Sequence, residues 1–112
     1  MENNLISAID LYNALKDGKD DQSYKKQMRI SGIATYVGPD VYALPSVELS
    51  ESPDVKGRVL CVLPFFDYLQ LRKVSKGDNV IMEGNVLIFA EQYDYVVVKQ
   101  CKIIEINGKP SN

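Results

Sequence analysis

A chain of 112 residues with 46% apolar and 25% charged side chains is long enough for one globular core, and its composition excludes a disordered protein. Its net charge is −2 and its pI about 5.1, so it lacks the basic excess of proteins that bind nucleic acid by phosphate neutralisation alone. It has no His, and its two Cys form no CxxC pair, which removes the commonest general base and any zinc-finger spacing.

The longest apolar run, residues 59–66, is far too short to span a bilayer. The first residues carry neither the basic nor the apolar region of a signal peptide. The expectation is a cytoplasmic protein or, alternatively, a mature extracytoplasmic domain without its leader.

Residues 7–17 read as a helix. Ser7 is the N-cap, Asp10 makes a weak capping box, and Ile6 and Leu11 stand where a hydrophobic staple would. Ala8, Leu11, Tyr12 and Leu15 recur at helical spacing, and Gly18 is the expected stop. The period then changes to two. Met28, Ile30, Gly32 and Ala34 alternate with Arg29, Ser31, Ile33 and Thr35, a first strand whose central Gly permits a sharp bend. Residues 37–40 read as a turn, residues 41–49 as a second strand interrupted at Pro45, and residues 50–57 as an acidic loop. A short third strand follows over residues 58–63. Residues 66–74 read as a short helix, residues 76–78 as a turn, residues 79–89 as a fourth strand with Gly84 at its middle, and residues 95–106 as a fifth.

Five strands with a short helix between the third and fourth is the order of the oligonucleotide/oligosaccharide-binding (OB) fold, a Greek-key barrel; an SH3-like barrel or an open meander is the alternative. The organisation expected is an N-terminal helix and linker over residues 1–26, a barrel over residues 27–106 and a flexible tail over residues 107–112.

Several segments carry a family resemblance. They are the leading helix with Leu11, Tyr12 and Ala14; Tyr24-Lys25-Lys26; the strand from Met28 to Ala34; Val59-Leu60-Cys61; the run Lys76-Gly77-Asp78-Asn79-Val80 continuing to Gly84; and Val96-Val97-Val98 with Cys101 and Ile103. Over about residues 9–104 the chain resembles the tRNA-anti-like OB-fold family, many of whose members are small bacterial proteins with a lipoprotein leader. The resemblance implies the fold, implies nucleic-acid binding by analogy of fold, and carries no catalytic motif.

Tyrosine stands out: seven Tyr and three Phe, with no Trp. OB domains stack bases on aromatics of their second and third strands and of the loops joining strands one to two and four to five. Tyr36 and Tyr42 flank the first of those loops; Phe89, Tyr93 and Tyr95 flank the second. Either they form a stacking platform or they plug the barrel ends. Tyr12 and Tyr24 read as packing residues of the helix. Arg58 and Lys99 are candidate phosphate contacts, with Arg29 and Lys102 on the same outward phase, whereas Glu48, Glu51 and Asp54 near the rim oppose a phosphate chain. Arg72, Lys73 and Lys76 suit a helix end. Asp17, Asp20 and Asp21 lack calcium-loop spacing, so no metal or other cofactor is expected. Cys61 and Cys101 fall on strands adjacent in an OB barrel and form either a buried thiol pair or a disulfide.

Two functions follow. One is a binding module for single-stranded DNA or RNA; the other is a protein-interaction domain using the same face or a strand edge. The chain is expected to be a monomer or weak homodimer. An enzyme is not expected, since the sequence has no His, no nucleophile elbow, no Gly-rich phosphate loop and no spaced carboxylate pair.

Overall fold

A computed structural model describes residues 5–17, 24 and 26–111. A short strand β1 (Leu5–Ser7) leads directly into helix α1 (Ala8–Lys16). Ser7 ends the strand and caps the helix. Its backbone is extended (φ −76°, ψ 155°), and its hydroxyl accepts from the Asp10 amide at 3.2 Å. Ala8, Leu11, Tyr12 and Leu15 are the buried face of the helix, as their spacing predicts. Gly18, expected to stop the helix, lies outside the described residues; Asp17 is the C-cap.

The barrel consists of β2 (Gln27–Pro39), β3 (Pro45–Ser50), β4 (Val59–Val62), β5 (Asn79–Ala90) and β6 (Tyr95–Ile106). These are strands one to five of the sequence reading. The order β2-β3-β4-β6-β5 is closed by antiparallel pairing of β2 with β5, while β4 and β6 run parallel through Leu60 opposite Val97. This is an OB-type barrel, with a 3-10 helix (Phe65–Lys73) between β4 and β5.

Strand β2 serves both halves of the barrel, pairing with β5 over its first residues and with β3 over its last. It turns at Gly32, where an added Cβ would stand 2.9 Å from the Leu49 Cβ and 3.2 Å from the Ala8 Cβ. No side chain fits between strand and helix there. The inward residues Met28, Ile30, Ala34, Val47, Leu49, Val59, Val96 and Val98 form one core with the apolar face of α1. Leu71 and Val74, in and just after the 3-10 helix, join it.

Several boundaries and elements differ from the sequence reading. β2 runs on to Pro39 instead of turning at residue 37, and β3 begins only at Pro45. Pro39 pairs with Pro45 at the end of the ladder, where neither missing N–H leaves a gap in the sheet. The short helix read over residues 66–74 is present as Phe65–Lys73, in 3-10 geometry with a kink at Asp67 (φ −101°, ψ 22°). β1, which the sequence reading did not anticipate, pairs parallel with β2. The tail read as frayed instead turns at Asn107 and Gly108 (φ 52° and 83°), and β7 (Lys109–Pro110) pairs back on β6. Asn-Gly is the residue pair that such a tight hairpin favours.

Candidate functional site

The outward side chains of the β3–β4 face build a row directly across the sheet. Tyr36 on β2 stands opposite Glu48 on β3, Glu48 opposite Leu60 on β4, and Leu60 opposite Val97 on β6. Alternation places Glu48, Leu60 and Val97 on this face, and the bulge between Ala34 and Tyr36 brings Tyr36 onto it, since strict alternation from the inward Ala34 would turn Tyr36 inward. Tyr95, two residues before Val97, shares this face and packs with Leu60 and Val62 in a small cluster outside the main core.

Two turns rise beside the row. In residues 40–44, the Asp40 carboxylate accepts from the amides of Tyr42 (2.8 Å) and Leu44 (2.9 Å), while Ala43 takes a left-handed conformation (φ 66°). The turn presents Val41 and Tyr42, both largely exposed. Tyr68 of the 3-10 helix braces it by donating to the Ala43 carbonyl at 2.8 Å. In residues 91–94, Asp94 is left-handed (φ 61°), and Tyr93 lies stacked on Tyr95 at 5.5 Å and 20°.

Between the first turn and the sheet lies an open pocket of about 280 Å³ lined by Tyr36, Pro39, Asp40, Val41, Glu48, Leu60 and Tyr95. Tyr95 is a neutral phenol at its wall. Burial pushes its phenol up, and the Glu48 carboxylate, the Tyr93 phenol, Asp40 and Tyr42 push in the same direction. Burial likewise raises the Glu48 carboxyl, with Lys56 opposing. A larger groove of about 370 Å³ lies by the start of α1, lined by Ser7, Ser31, Ser50 and Glu105 among others, and none of its lining residues is aromatic.

A second group surrounds Tyr12. The Arg58 guanidinium lies 4.6 Å above its ring, the Lys16 ammonium 5.0 Å away, and Phe89 meets it edge-on at 5.8 Å. Its hydroxyl donates to Asp94 at 2.8 Å and accepts from Lys16 at 2.8 Å. Asp94 sits below the ordinary carboxylate range, first through the Tyr12 hydrogen bond and then through Lys16, Lys56 and Arg58. The Lys56 ammonium donates to the Tyr93 carbonyl and stands 6.0 Å from the Tyr95 ring. Three cations thus line the second turn, next to the aromatic pocket. Arg58 also binds Glu51 through two 3.1 Å hydrogen bonds.

Of the residues singled out from the sequence, Tyr36, Tyr42, Tyr93 and Tyr95 come together around the pocket. Arg58 and Phe89 belong instead to the Tyr12 group on the other side of the turn. Lys99 lies farther along β6, half-buried opposite Asn85, and joins neither group. Sequence reasoning missed Lys16 and Lys56. The signal for Lys16 was its place four residues after Tyr12 on one helix face; Lys56 sits in an acidic loop and gave none. On the opposite side of the barrel Arg29 pairs with Glu83 at 3.0 Å, and Lys102 stands across from the same Glu83.

Cys61 and Cys101 are buried and unbridged. A hydrogen bond with the Cys101 thiol, and then burial, push Cys61 well above the ordinary thiol range, so the pair behaves as core rather than as a nucleophile. Among the described residues no cluster of His, Cys, Asp or Glu could hold a metal; Asp20 and Asp21 lie outside them. No helix among the described residues is long and apolar enough to cross a membrane.

Among solved structures the chain is similar to a Klebsiella pneumoniae protein described as a "putative nucleic acid-binding lipoprotein". The TM-score is 0.63 and the identity 10%, over 90% of this chain and 92% of that one. No curated protein matches in sequence. The tRNA-anti-like family matches residues 2–102, in agreement with the OB-type barrel, and the chain belongs to that family.

Proposed function

We propose that this domain binds single-stranded nucleic acid without catalysis, seating a base in the Tyr36–Tyr95 pocket and leading the phosphates past the second turn. The observation that carries this reading is the adjacency of two unlike surfaces. Tyr36, Tyr42 and Tyr93 offer exposed rings, with Tyr95 buried beneath Tyr93, and Lys16, Lys56 and Arg58 offer positive charge beside them. Bases stack on aromatics, and cations neutralise the strand between bases; a single-strand site requires both. The similarity to a protein described as nucleic acid-binding supports the same reading. So few cations on a mildly acidic chain favour modest, salt-sensitive affinity.

The test is a titration with short oligo-dT and oligo-U at low salt, followed by amide shifts and Tyr fluorescence. Shifts are expected in residues 36–48 and 91–97. Tyr93→Ala removes an exposed ring and should weaken binding by about 1–3 kcal/mol, the usual worth of one stacked base. No change in any signal at millimolar oligonucleotide would end the proposal.

A second reading has its own observation. Phe65, Phe66 and Leu69 of the 3-10 helix are 70%, 81% and 68% exposed. Exposed apolar groups at this density suit a protein partner or a weak homodimer. Sedimentation across a concentration series tests the homodimer: a strict monomer whose behaviour is unaltered by Phe66→Ser would remove it.

A further inference from the structure

We propose that the pocket selects guanine, with the Glu48 carboxylate accepting from the N1–H and N2–H of the base. The inference rests on the single-strand reading above and names the base that the pocket takes.

Glu48 is an unusual floor for a nucleic-acid site. It stands mid-strand in the cross-sheet row between Tyr36 and Leu60, half-buried and lining the pocket. No donor among the described residues hydrogen-bonds its carboxylate. The loop backbone closes one side of it: a Cβ on Gly57 would stand 2.4 Å from Glu48 Oε1 and 2.7 Å from its Cβ. The carboxylate is therefore held half-buried against the loop, with no protein donor among the described residues, where a base edge would arrive. Such a group gains more from a new donor than an exposed one does.

An ionised carboxylate only accepts hydrogen bonds. The Watson–Crick edge of guanine presents two adjacent donors, which match its two oxygens as parallel charge-assisted bonds. Adenine and cytosine present one amino donor beside a ring-nitrogen acceptor, which would face the second oxygen. Uracil and thymine present one N–H between two carbonyls, and both carbonyls repel the carboxylate. The exposed Tyr36 gives a ring against which a planar base can lie, and the buried Tyr95 and Leu60 give the pocket an apolar wall. A volume near 280 Å³ lies just below the range of drug-sized ligand pockets, about 300–1,000 Å³, in keeping with a single base.

The experiment titrates the full chain with thymine hexamers carrying one central guanine, inosine, adenine or cytosine, at low salt and neutral pH. Guanine is expected to bind about tenfold tighter than adenine or thymine, the scale of a good bidentate base contact. Inosine, which keeps N1–H and lacks the amino group, should fall between. Glu48→Gln should bring the guanine and thymine affinities to within about twofold of each other, whatever their absolute values; its fold is checked by circular dichroism. Lowering the pH until Glu48 is protonated should remove the preference in the native protein too. Equal binding of all hexamers overturns the guanine assignment and leaves single-strand binding standing, as does a guanine preference that survives Glu48→Gln. No binding to any hexamer overturns both. A pocket shifted only by an arginine- or lysine-bearing peptide overturns both and assigns it to a cationic side chain.

Discussion

The hydroxyl of Tyr12 donates to the Asp94 carboxylate at 2.8 Å, tying the N-terminal helix to the turn between β5 and β6 across 82 positions of sequence. The helix is thereby part of the candidate site and not only a cover for the core. Tyr12 fixes Asp94, Asp94 gathers Lys16, Lys56 and Arg58, and the next residue is Tyr95 of the pocket.

Tyr12→Phe keeps the buried ring and removes this tie. The Asp94 carboxyl is depressed in the folded protein, so its contribution is fully present above the unfolded pKa and lost as pH falls through the depressed folded value. Thermal melts should show Tyr12→Phe below the native protein at neutral pH, with the gap closing under acid. A gap independent of pH would mean that the lost hydroxyl acts through something other than the ionised Asp94, such as its bond from Lys16.

Gly84 tests barrel closure. It faces inward on β5, where a Cβ would meet Cys101 Sγ at 2.6 Å, the Lys99 carbonyl at 2.8 Å and Val98 Cγ1 at 2.9 Å. Gly84→Ala should destabilise by about 1–3 kcal/mol through overpacking. Cys101→Ala in the same chain should recover only part of this, because the Lys99 carbonyl is backbone and stays. Denaturant melts of the four proteins in a double-mutant cycle measure the recovery; full recovery would show that β6 yields at Lys99.

Gly84 and Gly32 also show what was legible in the sequence. A glycine in the middle of an alternating strand announces close approach, and both serve that purpose, so barrel closure was readable from pattern alone. Ser7 and the spacing from Ala8 to Leu15 likewise fixed the helix. Tyr36 reaches the face of Glu48 only through the bulge between Ala34 and Tyr36, which the alternation from Met28 to Ala34 does not announce. The candidate site was less legible. Whether Arg58 joins the pocket depends on which side of the second turn it meets, and that is set by its contact with Tyr12, 46 positions away by numbering. Lys56 acquires its place only because loop 51–58 folds back on Tyr93. The 3-10 geometry of Phe65–Lys73 has the same character: its apolar residues lack a helical period, and Leu71 alone is buried.

Glu48 puts stability and function in opposition. Burial raises its carboxyl above the ordinary value of 4.5, so the folded chain holds this proton more tightly than the unfolded chain does. Ionised Glu48 therefore costs stability at every pH above the raised folded value, and the cost disappears as pH falls from there to the unfolded value. Glu48→Gln should melt higher than the native protein at pH 7, with the difference vanishing below about pH 4, the reference region of a free glutamate. A variant that melts lower at pH 7 would show that the carboxylate is satisfied in the folded state, and would weaken the case for a waiting acceptor in the pocket.

Lys56 separates electrostatic from stacking contributions. For single strands the logarithm of affinity falls with the logarithm of salt at a slope of about −0.7 per phosphate neutralised. With Lys16, Lys56 and Arg58 each meeting one phosphate, the slope should be about −2. Lys56→Ala should reduce its magnitude by about 0.7. Tyr93→Ala should weaken binding at all salt concentrations with the slope intact, since a ring carries no counterion. Lys56 also donates to the Tyr93 carbonyl, so its removal has a second route to lower affinity through a loosened turn. The slope distinguishes the two routes, because loosening shifts the line without tilting it. A Lys56→Ala line parallel to the native one would remove this lysine from the phosphate path, even if affinity fell.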